Sequence, residues 1–207
     1  MKFDPDMHPT KYRMIEVANE LFEDPLQPFP TAERVLRSSG TTKGSLYHHF
    51  KDFSDLIECV QILRYEEFAS FEINAVTVAI GKIEDIETAR ARLFVELRSR
   101  QALSTRSSRS ERALVIAQSL TNERLSTKIA AAEERISQLW MALYSACVLR
   151  GWTQSNLDPR SVSIIVEAVL FGRILIDLQP EEIEIEEWLS VLEQVVDAMY
   201  FSNRLAI

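Results

Sequence analysis

Apolar residues fall at helical spacing along almost the whole chain, with polar residues filling the positions between them. Ile15, Ala18, Leu21 and Phe22 make one stripe and predict a first helix from about Thr10 to Phe22. Pro25 and the cluster Pro28-Phe29-Pro30 end it, because proline lacks the amide proton the helix needs and restricts the residue before it. Thr31 caps a short second helix with Val35 and Leu36 facing inward, and Ser38-Ser39-Gly40 stops it with a glycine suited to a left-handed position. Thr41-Thr42 caps a third short helix that runs to about Phe50. Ser54 opens a fourth, carrying Leu56, Ile57, Val60, Leu63 and Phe68 on or near one face. Further helices are expected at roughly 87–103, 109–119, 122–150, 159–178 and 185–202. No strand-like alternation and no internal repeat appear.

The pattern predicts an all-α protein. A three-helix domain with a helix-turn-helix occupies residues 1–53, and a larger helical domain fills 54–207. Composition agrees: 5 glycines and 7 prolines in 207 residues are too few for the turns of a sheet protein. With 46% hydrophobic and 26% charged residues, a folded core is expected rather than disorder. Cys59 and Cys147 lie far apart in helical sequence and read as buried thiols of a cytoplasmic protein. Met1 to Tyr12 is polar, unlike a secretory signal. The longest apolar stretch, Val162 to Leu178, is interrupted by Glu167 and Arg173, so no membrane association is expected.

A helix-turn-helix lays its second helix in the major groove of DNA. The net charge of −8 does not oppose this, because charge matters locally. Residues 31–51 hold Arg34, Arg37, Lys43 and Lys51 against Glu33 alone. In the third helix Leu46 and Phe50 coincide at 100° per residue and must face the core. Gly44, Ser45, Tyr47 and His48 then face outward, flanked by Lys43 and His49. Lysine can donate to a guanine edge, serine can bond most base edges, and glycine lets the backbone approach the groove. Tyrosine and histidine can donate to phosphates.

The run Thr42-Lys43-Gly44-Ser45-Leu46-Tyr47-His48-His49-Phe50-Lys51 closely resembles the recognition-helix signature of the TetR family of transcriptional regulators. The likeness extends from Glu20-Leu21-Phe22 through Leu56. It implies base-facing roles for Lys43, Gly44 and Ser45, and phosphate contacts from Thr31, Tyr47, His48, His49 and Lys51. Glu33, Arg34 and Thr42 complete the DNA-binding set expected here. The resemblance also implies a homodimer through the last two helices, on double-stranded, near-palindromic operator DNA, with a small-molecule effector in the C-terminal domain. Repression relieved by that effector is the family default. Five positions depart from the pattern: Leu26 stands where the turn usually has glycine, Leu36 and Ser39 replace small alanines, and Glu33-Arg34 reverses a basic-acidic order.

Outside the motif, Val162, Val166, Val169, Leu192, Val195 and Met199 are the expected dimer contacts. Phe94, Trp140, Tyr144 and Phe171 are candidates to line an effector pocket, although aromatics at helical spacing are more often core. Arg173 and Glu167 suit either ligand orientation or an inter-helix ion pair, with the ion pair favoured. Residues 90–112 carry seven arginines against Glu96 and Glu111. They suit an anionic effector or DNA phosphates, or form a surface paired with Glu20, Glu23 and Asp24; the surface is favoured. The acidic run Glu181 to Glu187 reads as a loop and a helix start. Neighbouring His48 and His49 diverge on a helix, and only His8 remains as a third imidazole, so no metal is expected. No cofactor motif, nucleophile elbow or phosphate loop is present, which argues against an enzyme. Two other readings stay open: a TetR-like protein-interaction module that has lost operator binding, and a helical-bundle enzyme.

Overall fold

Proline placement and side-chain caps set the helix ends. In the computed structural model, which describes residues 7–23, 29–153, 156–179 and 184–202, helix α1 is Pro9–Glu23. Pro9 stands first, where a missing amide proton costs nothing, and His8 Nδ1 accepts from the Thr10 amide at 3.2 Å. Helices α2 (Ala32–Ser39) and α3 (Lys43–His49) follow. Helix α4 (Phe53–Ile80) begins two residues earlier than Ser54 capping would allow. Asp52 is the cap instead: its carboxylate accepts from the Asp55 amide at 2.7 Å, and Asp55 reaches back to the Lys51 amide at 2.9 Å. The reciprocal pair satisfies two amides that Ser54 alone would have left open.

Four of the remaining helices, α5 (Ile86–Gln101), α6 (Arg106–Ser119), α7 (Glu123–Leu149) and α10 (Ile185–Tyr200), fall within a few residues of expectation. The expected helix over 159–178 is divided. It forms α8 (Pro159–Phe171) and a short α9 (Arg173–Asp177), parted at Gly172. There the Leu175 amide bonds the Gly172 carbonyl at 3.0 Å, a tighter turn than the α-helix makes. No strand occurs among the described residues, and no helix is long and apolar enough to cross a membrane. Leu26, Asp24, Glu181 and Glu182 lie outside the described residues.

Two cores organise the chain. The small one joins Met14, Ile15, Val17 and Ala18 of α1 to Val35, Leu46, Phe50 and the first turns of α4 at Leu56 and Val60. The large one starts further along the same helix, at Ile62 and Tyr65, and takes in α5 to α8 and α10. Helix α4 therefore belongs to both.

Candidate nucleic-acid interface

The connection between α2 and α3 is built by local hydrogen bonds. Thr31 caps α2 by accepting from the Arg34 amide at 3.4 Å. Gly40 closes it at φ +65°, with its amide on Arg37 O and the Thr41 amide on Leu36 O at 3.0 Å. A Cβ at Gly40 would meet nothing within 4 Å, so its backbone conformation, not space, calls for glycine. Thr42 then caps α3, its hydroxyl accepting from the Ser45 amide at 3.1 Å.

Leu46 and Phe50 are buried, and this fixes the rotation of α3 on the small core. Lys43, Gly44, Tyr47 and His48 are exposed; Ser45 is half-buried beside the Thr42 hydroxyl, 3.1 Å away. Tyr47 is 56% exposed, a large apolar ring left in water, and Lys43 Nζ lies 6.0 Å from its centre. A Cβ at Gly44 would touch only Thr42 Oγ1, at 3.7 Å. Nothing inside the protein requires a glycine there; the bare backbone faces outward. Thr31, Thr42 and Lys51 are exposed at the edges of this face. Glu33 is exposed and meets Arg37 at 3.3 Å, a surface pair worth little; Arg34 is half-buried.

His48 and His49 do not diverge as their adjacency suggests. The His49 ring sits 4.6 Å from that of His8 and 4.9 Å from that of His48. Desolvation lowers the His49 pKa, and His8, His48 and Lys11 press the same way. Among the described residues no group of three or more His, Cys, Asp or Glu side chains is arranged to hold a metal ion. His8 and Lys11 thus join the α3 face. They were missed because they come from the far end of α1 and share no spacing with the motif.

The base of α4 is clamped to α7 by charge. Arg124 takes Glu58 at 2.7 and 2.8 Å and Asp52 at 3.0 and 3.2 Å. Lys128 bonds Glu58 at 2.9 Å and also Asp55. Burial pushes the Glu58 carboxyl up, but the bonds from Arg124, Lys128 and Asn122 outweigh it and hold the pKa below its ordinary value. The clamp connects the turn that follows α3 to the large core.

No protein-family model matches the sequence, and no curated protein sequence does. Solved structures do match. A TetR-family transcriptional regulator from Mesorhizobium loti superposes with TM-score 0.66 at 17% identity, over 92% of this chain and 94% of the other. A second, from Rhodococcus sp., gives 0.65 at 18% identity over 94% and 100%. The fatty acid degradation regulator FadR from Bacillus halodurans gives 0.55 at 14% identity over 92% and 96%. The chain has the TetR-family fold.

Within the TetR fold, two of the departures are accommodated. Leu36 packs half-buried against the small core, and Ser39 Oγ sits 2.6 Å from Thr41 Oγ1, inside the turn. In the large domain, Phe94, Trp140 and Tyr144 are packed core residues, with Tyr144 edge-on to Tyr200 at 5.8 Å. Phe171 is half-buried, 6.0 Å from the Arg112 guanidinium. Glu167 and Arg173 are not paired with each other. Glu167 bonds Arg112 of α6 at 2.7 Å and the Trp140 indole, whereas Arg173 faces Asp177. Among the described residues the basic stretch pairs with acids of the later helices. Arg90 meets Asp197 at 2.7 Å, Arg98 meets Glu186 and Glu193, and Arg109 meets Asp177, because α5 and α6 pack beside α9 and α10.

Of the expected dimer contacts, Val162, Val166 and Leu192 are buried by the chain's own large core, and Val169, Val195 and Met199 are half-buried. The apolar residues that α8 and α10 leave open are Ile164, Ile165 and Val191, 58, 47 and 57% exposed. Cys147 is buried and Cys59 half-buried; both are free thiols.

Proposed function

We propose that the protein is a DNA-binding transcriptional regulator, a repressor released from its operator by a small-molecule effector. The exposed face of α3 carries this reading: Lys43, the bare Gly44 backbone, Ser45, Tyr47 and His48 stand outward on a helix held by a capped, glycine-closed turn. Thr31, Glu33, Arg34, Thr42, His49 and Lys51 border it. Residues 1–53 act as the DNA-binding module and 54–207 as the effector and dimerisation domain, with α4 continuous between their cores. Effector binding favours a spacing of the two α3 helices that no longer matches successive turns of DNA.

Selection from random DNA tests this. The recovered sites should share a two-fold motif, and affinity should fall steeply with salt because several phosphates are contacted. A folded protein that enriches no two-fold motif removes the reading and puts a protein partner ahead.

The dimer is proposed to form through the open faces of α8 and α10, around Ile164, Ile165 and Val191, with Val169, Val195 and Met199 at the margin. An exposed apolar strip of this kind suits a self-complementary interface. Sedimentation at micromolar concentration should report twice the 23.7 kDa chain mass. Ile165→Glu should shift the protein to monomer without loss of helicity; an unchanged dimer places the interface elsewhere.

A further inference from the structure

Where α9 packs on α6, two guanidinium groups face one carboxylate and a third bonds the backbone beside it. Arg109 grips Asp177 at two points, Nε at 2.9 Å and Nη2 at 3.1 Å. Its Nη1 donates to the carbonyls of Arg100 and Ala102 and to the Thr105 hydroxyl, so Arg109 is satisfied. Arg106 donates to the Asp177 backbone carbonyl at 2.8 Å. Arg173 receives no such partner. Its Nε lies 3.5 Å from Asp177 Oδ1, close enough for attraction but not hydrogen-bonded, and both Nε and Nη1 are buried without an acceptor.

Arg173 is 4% exposed. A charged donor buried without an acceptor is costly, and proteins seldom retain one without a use for it. Burial depresses the Arg173 pKa; Asp177 opposes this, while Arg109 and Arg106 add to the depression. Among the described residues three positive charges gather around the one carboxylate of Asp177, and the donors left over on Arg173 need an acceptor. Gly172 alone parts α8 from α9, which packs on α6, and a Cβ there would come within 3.1 Å of the Val169 carbonyl. Arg106 is exposed, so the cluster reaches the surface at one edge.

We propose that Arg173, with Arg106 and Arg109 adding positive charge beside it, forms a binding site for a compact oxyanion, a carboxylate or phosphate group that accepts from Arg173 Nη1 on the edge turned away from Nε. A charge-assisted hydrogen bond from a guanidinium suits an oxygen of either group. In the regulator reading, to which this last step alone is tied, the oxyanion is the acidic group of the effector. The site itself needs no DNA.

The test uses the full chain at constant ionic strength, with chloride replaced stepwise by inorganic phosphate in one arm and by propionate in the other. Calorimetry and the unfolding midpoint should show saturable binding in at least one arm; which arm responds identifies the head group. Arg173→Met, which replaces the buried charge with an apolar chain of similar length, should remain folded and weaken that binding at least tenfold. Asp177→Asn should tighten it by removing the competing carboxylate. Absence of saturation in both arms, or unchanged binding in Arg173→Met, overturns the site. Binding of the anion without any selected operator would leave the site standing and remove the regulator reading, and the converse result would do the opposite.

Discussion

Leu46→Ala should abolish operator binding while leaving the C-terminal helices folded and associated. Leu46 is 2% exposed and is the only fully buried residue within the seven-residue α3. A helix that short has no stability of its own and exists because its inward side chain is packed. Truncating a buried leucine costs about 2–5 kcal/mol, the lost transfer energy plus the cavity left behind. Here the loss falls on a small core made from three short helices and the start of α4, where it is a large share of the total. Circular dichroism should lose only the part of the helical signal that α1 to α3 supply, and denaturant should reveal an early transition ahead of the main one. Sedimentation should be unchanged. Full operator affinity in this variant would mean that α3 is not the reading helix, and unfolding of the whole chain would mean that the module has no independence.

Lys43→Ala and Tyr47→Phe should fail in different ways. Lys43 is exposed in the first turn of α3, and in the proposed regulator its ammonium reaches a guanine edge; its loss should then cost about 1–3 kcal/mol on the preferred operator and relax preference at one base pair. Tyr47 presents its hydroxyl at the outer surface, where a phosphate is the expected partner, so Tyr47→Phe should weaken all operators by similar factors. Because Lys43 Nζ lies 6.0 Å from the Tyr47 ring, the two substitutions are not independent, and the double variant belongs in the same binding series. Equal, sequence-independent losses would reduce Lys43 to a phosphate contact. No loss from either, in a folded dimer, removes α3 from the groove.

The sequence is most legible where structure is decided locally. Thr31, Gly40 and Thr42 mark helix ends by their own chemistry, and the structure uses all three as expected. Leu46 and Phe50 set the rotation of α3 from spacing alone. Legibility fails where the outcome depends on which helix packs against which. Val162, Val166 and Leu192 have the spacing of an apolar face, but periodicity does not say whether the chain's own core or a second copy covers it. The clamp of Arg124 and Lys128 on Asp52, Asp55 and Glu58 spans about seventy residues and has no local signature. The arginines of α5 and α6 are likewise recognisable as a group, but only the packing reveals which acids meet them, and that Arg173 of α9 keeps donors without an acceptor.

The continuity of α4 bears on how this protein can be recombined. A chimera cut at residue 53 would carry away α1 to α3 yet leave behind Leu56 and Val60, which complete their core, and Glu58, which anchors them. The smallest transplantable reading head runs through the second turn of α4, and it must meet a recipient that offers its own counterparts of Arg124 and Lys128. If the proposed regulator reading holds, exchange of specificity is therefore constrained less by the residues of the α3 face than by two cations on a helix seventy positions away.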